Sequence, residues 1–127
     1  MVKNTVTVYG REIEVVPSKF SKRVREVFVI VDVAKFDEGW RRDIGFHIDS
    51  NGSNQISNRL ARVAEFLKTA TSMEASEVHV GDTGRIQFTD GRHRMAFLRD
   101  YGVKQVGVTM DKKSAKNAVK FGIAVAA

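Results

Sequence analysis

The chain has 127 residues, 43% of them apolar, a formal net charge of +6 and no cysteine. That length suits one domain, residues 1–127, with a real core, and the missing cysteine excludes disulfides, thiolate metal centres and cysteine nucleophiles. The positive surplus favours encounter with phosphates, nucleic acid or an acidic protein partner, a solvated basic surface being the plain alternative.

Met1 to Val8 alternates instead of forming the apolar stretch of a signal peptide. No run along the chain approaches the roughly 20 apolar residues of a membrane span. A cytoplasmic protein with no membrane partner is therefore expected. Val6-Thr7-Val8 and Ile13 to Val16 flank Tyr9-Gly10-Arg11, which predicts an N-terminal β-hairpin within residues 1–18. A run from Lys19 to Arg25 then interleaves four cations with Phe20 and Val24. It suits a nucleic-acid backbone or an ordinary solvated linker equally.

Val27 to Val31 is a β-branched and aromatic run, expected as a strand buried on both faces near the middle of a sheet. Trp40, followed by Arg41 and Arg42, is read as a half-buried core residue in preference to a base-stacking platform. Asp49 to Asn54 is a turn cluster. Leu60, Val63, Ala64 and Leu67 share one face of a helix, with Ser57 or Asn58 as its N-cap. Val78 to Val80 and Ile86 to Phe88 predict two short strands around Gly81-Asp82-Thr83-Gly84. Asp90 to Tyr101 predicts a second helix closed by Gly102, Val106 to Val108 a strand, and Ser114 to Phe121 a last short helix. The fold class is α+β: a single small mixed sheet with two or three helices.

The stretch from Ile86 to Arg99 reads as strand, tight turn and helix, with Asp90 as the cap. Its first helical turn holds Arg92, His93 and Arg94, which is electrostatically backwards. Cations at a helix N-terminus lose about 0.3–1 kcal/mol each against the macrodipole. An incoming anion would compensate, because backbone N–H groups, the dipole and two guanidinium groups would converge on one phosphate. Gly91 would let that phosphate approach the backbone. The internal alternative pairs Arg92 and Arg94 with carboxylates such as Asp82 or Asp100.

The string Phe88-Thr-Asp-Gly-Arg-His-Arg-Met-Ala-Phe-Leu-Arg-Asp-Tyr-Gly102 resembles the signature of the ParB/sulfiredoxin-like group, closest to its plasmid fertility inhibition factors. The resemblance spans about residues 27–121 as the core and leaves the hairpin outside. It implies phosphate contacts at Gly91, Arg92, His93 and Arg94, and a nucleoside triphosphate such as ATP with Mg²⁺ as cofactor. Sulfiredoxin chemistry needs a cysteine where Arg92 stands, so it is excluded. The helix-turn-helix and dimerisation domains of partition proteins do not fit within this length. What the resemblance leaves is a phosphate-binding protein of a plasmid, phage or other mobile element that suppresses DNA transfer, with weak ATPase or DNase activity.

For hydrolysis, His93 is the candidate general acid or base and Asp90 the candidate cation holder, competing with its role as cap. No cluster of carboxylates at metal-ligand spacing is evident, so no metal site is assigned. Arg59 and Arg62, one turn apart on the first helix, can reach the same anion or simply edge the helix in solvent. His47 and His79 stand alone in the sequence, and His79 is expected on the solvent side of its strand. The alternative to all this is a non-catalytic inhibitor or immunity protein that binds another protein and keeps the fold without the chemistry.

Overall fold

The structure is a computed structural model that describes residues 4–17 and 26–125. The Lys19–Arg25 run therefore lies outside the described residues. Alternation in the first segments produces β1 (Asn4–Val8) and β2 (Arg11–Val16), with Val6, Val8, Ile13 and Val15 buried on one face. The tight turn between them has positive φ at both Tyr9 and Gly10, as a two-residue hairpin of this twist needs. The remaining elements are β3 (Glu26–Asp32), α1 (Val33–Trp40), α2 (Arg59–Leu67), β4 (Ser72–Glu74), β5 (Ser76–Val80), β6 (Ile86–Asp90), α3 (Arg92–Tyr101), β7 (Gln105–Asp111) and α4 (Lys112–Lys120).

The class is α+β, but the expected single sheet is two. A three-stranded sheet has the order β1-β2-β4, and a four-stranded sheet has the order β3-β7-β5-β6. β4 joins β2 in parallel, and the chain passes from one sheet to the other at Ala75, whose N–H donates to the Val16 carbonyl. Three residues of β4 are too few for a period to declare itself, so the second sheet was invisible from sequence.

The middle of the larger sheet is also occupied differently. β7 is central, with residues 106–110 buried, whereas β3 lies at the edge and buries only Val31 fully. An apolar edge strand survives here because the C-terminal segment covers it. Val125 donates to the Ile30 carbonyl at 2.9 Å, Asp32 donates to the Ile123 carbonyl at 2.9 Å, and Val31 bridges Ala124.

Among the described residues, four helices stand where two or three were expected. The additional one is α1, whose start is capped by the Asp32 side chain accepting from the Lys35 N–H at 3.0 Å. It buries Phe36 and Trp40 completely. Trp40 is thus a fully buried core residue, its ring 4.7 Å from that of Phe88. Burying side chains of this kind stabilises the fold by about 1.5–3 kcal/mol each. Asn58 occupies the N-cap position of α2, but in the left-handed region and without a side-chain capping bond. None of the described helices is long and apolar enough to cross a membrane.

Candidate functional site

β6 delivers Asp90 to the sheet edge, and the chain turns into α3 at Gly91, whose φ of 88° is left-handed. A Cβ there would meet Ser76 Oγ at 2.5 Å and Ser76 Cα at 2.9 Å. Ser76 Oγ in turn donates to the Gly91 carbonyl at 2.9 Å. Both conformation and space therefore require glycine at this corner.

Asp90 does not cap the helix. It ends β6, and its carboxylate accepts from Arg94 Nη2 at 3.1 Å, one turn along. Gly91 takes the N-cap position instead, so no side chain caps the N-terminus of α3. The two arginines that looked uncompensated have internal partners, though not Asp82 or Asp100. Arg94 holds Asp90. Arg92 Nη1 donates to the carbonyls of Phe46 at 3.1 Å and Asn54 at 2.7 Å. Asp82 faces Lys113 and Asp100 faces Arg99.

His93 is held by the same segment. Its Nε2 accepts the backbone N–H of Ile56 at 2.9 Å, which leaves Nδ1–H as the ring's donor. Burial, followed by the charges of Arg92 and Arg59, lowers its pKa below the usual histidine value. The ring is thus a neutral donor near pH 7, and the nitrogen a general base would use is already engaged.

Two clefts meet at this helix start. The first, of about 600 Å³, is lined by Arg59, Arg62, His93 and Arg94 with Gly91, and by apolar side chains that include Phe66 and Met73. The second, of about 440 Å³, lies between α3 and the segment 41–58, and Phe46, Ile56 and Arg92 line it. Arg59, Asp90, Gly91 and His93 border both. Of the residues expected to contact phosphate, Gly91, His93, Arg94 and Arg59 share the first cleft, whereas Arg92 turns to the second. Beyond their backbone N–H groups, which donate to the Ile56 and Asn58 carbonyls at 3.0 Å each, Arg59 and Arg62 make no side-chain hydrogen bond or ion pair among the described residues. No group of three or more metal-ligating side chains occurs among the described residues.

Sequence reasoning missed a buried network behind the site. Asp37 Oδ1 lies 2.9 Å from both His47 Nε2 and Arg99 Nη1, and Asp37 Oδ2 accepts from Arg41 at 3.0 Å. Burial pushes the Asp37 carboxyl up, but hydrogen bonds from His47 and Arg99, with their charges, hold it below its usual range. Arg99 also donates to the Ile48 carbonyl and stands over the Trp40 ring. The only trace in the sequence was Asp37 itself, a carboxylate one position from Phe36 in a segment that ends on Trp40. His79 is exposed, as expected, although Ser114 Oγ lies 3.2 Å from its Nδ1.

No family model matches the chain, and no curated protein matches it. Among solved structures it is similar to the oncogenic suppression activity protein, a plasmid fertility inhibition factor, solved as a gold(I) cyanide derivative. The TM-score is 0.71 at 17% identity, covering 100% of this chain and 77% of that one. The hairpin, left outside the resemblance by sequence, falls within the shared fold. At that identity the likeness is one of fold, and the chain has the fold of a plasmid fertility inhibition factor.

Proposed function

We propose that the chain is a ParB/sulfiredoxin-like phosphate-binding protein of a plasmid, phage or other mobile element, working in the cytoplasm to restrain DNA transfer. The observation that carries the phosphate reading is the first cleft. An uncapped helix start, Arg59, Arg62 and His93 border a space that apolar side chains including Phe66 and Met73 also line. A nucleotide or nucleic-acid phosphate would sit at the start of α3 with its base toward Phe66 and Met73. Arg94 shares its charge with Asp90, so Arg59 and Arg62 are the principal cations of the cradle. Arg92 acts by holding the 41–58 segment in place. Asp90 and Glu74, both at this cleft, are the carboxylates nearest to where Mg²⁺ would accompany a nucleoside triphosphate such as ATP.

A second reading, a non-catalytic inhibitor or immunity protein, is favoured by one observation. Both arginines of the motif are engaged within the chain, and the Nε2 of His93 is occupied. An ATPase or DNase would need that nitrogen or another base to activate water.

Thermal unfolding with ATP, CTP or inorganic phosphate, each with and without Mg²⁺, separates the two. A ligand that binds only the native state adds about 2.7 kcal/mol at a hundred times its Kd. The phosphate reading expects a rise with at least one of these ligands, abolished by Arg59→Ala with Arg62→Ala. No rise with any of them overturns it.

A further inference from the structure

The second cleft carries an inference that does not depend on phosphate binding. Segment 41–58 holds three large apolar side chains in solvent: Ile44 at 84% exposure, Phe46 at 59% and Ile56 at 51%. Segments with such side chains usually collapse onto the core, and this one is prevented from doing so. Asn54 Nδ2 donates to the carbonyls of Ile44 at 3.0 Å and His47 at 2.8 Å. Arg92 ties Phe46 and Asn54, His93 ties Ile56, and Asp37 ties His47. Hydrogen bonds thus fix the backbone while the apolar side chains stay outside, the arrangement of a preorganised binding surface.

The charge at this cleft is unbalanced. Its two carboxylates are both paired, Asp43 with Arg85 at 3.3 Å and Asp90 with Arg94 at 3.1 Å. Arg92 hydrogen-bonds only neutral carbonyls, shares with Arg85 the attraction of the Asp43 carboxylate, and lies 5.8 Å from the Phe46 ring centroid. The Arg59 side chain has no hydrogen-bond or ion-pair partner among the described residues, although its backbone N–H donates to the Ile56 carbonyl. An occupant must therefore bring apolar surface for Phe46 and Ile56 together with negative charge for Arg59 and Arg92. We infer that this cleft is a docking surface for an acidic protein segment, which inserts an apolar side chain between Phe46 and Ile56 and sets flanking carboxylates against Arg59 and Arg92.

The test is selection from a random dodecapeptide display library on the intact protein, followed by fluorescence anisotropy with the synthesised winner. The expected winners combine Leu, Phe or Trp with flanking Asp or Glu, and bind more weakly as salt rises. Phe46→Ser with Ile56→Ser should weaken binding at least about tenfold, the effect of losing 1.4 kcal/mol. The near-ultraviolet dichroism of the buried Trp40 confirms that the double variant is folded. Arg59→Glu, a second variant that leaves the apolar side chains in place, should weaken it similarly.

No enriched sequence, enrichment without acidic residues, or equal binding by the double variant overturns the inference. So does displacement of the peptide by a single-stranded 12-mer oligonucleotide that itself loses affinity in the double variant, since the surface would then belong to nucleic acid. Peptide binding that survives alongside a failed phosphate titration would sink the phosphate reading and leave this one standing.

Discussion

His93 Nε2 accepts the backbone N–H of Ile56 at 2.9 Å, joining the first turn of α3 to the end of a long irregular segment. With Arg92 donating to the Phe46 and Asn54 carbonyls, consecutive residues at the helix start fasten opposite ends of segment 41–58. The motif that reads as a ligand site in sequence is also a clasp. This explains how cations stand at a positive helix end without an anion: one binds carbonyls, one binds a carboxylate, and the imidazole stays neutral.

The clasp has a pH signature. The folded pKa of His93 lies below its ordinary value of 6.5, so below that pH the unfolded chain binds more protons than the native one. Its contribution is therefore flat above about pH 7 and turns unfavourable as pH falls from the unfolded pKa to the folded one. Urea unfolding from pH 7.5 to 5 should show wild type losing stability relative to His93→Gln. Parallel pH profiles for the two proteins would refute the neutral-clasp assignment.

Removing the other half of the clasp should loosen the segment selectively. Arg92→Ala deletes two charge-assisted bonds to carbonyls at a partly exposed site, and about 1–2 kcal/mol should be lost. Amide exchange should accelerate across residues 44–56 more than in β7. By contrast, Arg59→Ala with Arg62→Ala removes no internal bond among the described residues, and should stay within about 0.5 kcal/mol of wild type without ligand.

The network under the segment also carries stability. Asp37→Ala leaves Arg99, whose side chain is 13% exposed, with Asp100 and the Ile48 carbonyl as partners, and the loss expected is about 1–3 kcal/mol. Because the Asp37 carboxyl is held below its usual range, its stabilisation is complete above the unfolded value of 3.8 and disappears as pH falls through the folded pKa. Denaturant unfolding of Asp37→Ala at neutral pH checks the first point. Acid titration of the wild type against the variant checks the second.

Gly91→Ala tests the corner itself. The added methyl must occupy a left-handed backbone and displace Ser76, so a loss of about 1–3 kcal/mol is expected. Any ligand-dependent rise in unfolding temperature should disappear as well. Ser76→Gly in the same background removes only the Oγ contact and leaves the approach to the residue 76 Cα and the left-handed backbone in place, so it should restore only a small part of the stability.

Local patterns determined most of the elements. Alternation at Val6–Val8 and Ile13–Val15 makes a hairpin with one buried face. The spacing of Leu60, Val63, Ala64 and Leu67 makes a helix, and Gly102 with φ of 102° ends another. These readings held because each depends on a few neighbouring residues. The N-cap failed for the same reason: Asp90 has the right chemistry for it, but an arginine one turn away competes for its carboxylate.

Pairing across distance was decided only by the tertiary structure. A continuous apolar run such as Val27–Val31 states how much of a strand must be covered, not what covers it. Here the C-terminal segment shields β3, and the centre passes to β7. Asp37, His47 and Arg99 are 10 and 52 residues apart along the chain, and no local period connects them. Exposed Phe46 and Ile56 likewise look like core residues in sequence. Burial follows from where the backbone is pinned, and Asn54, Arg92 and His93 pin it away from the interior.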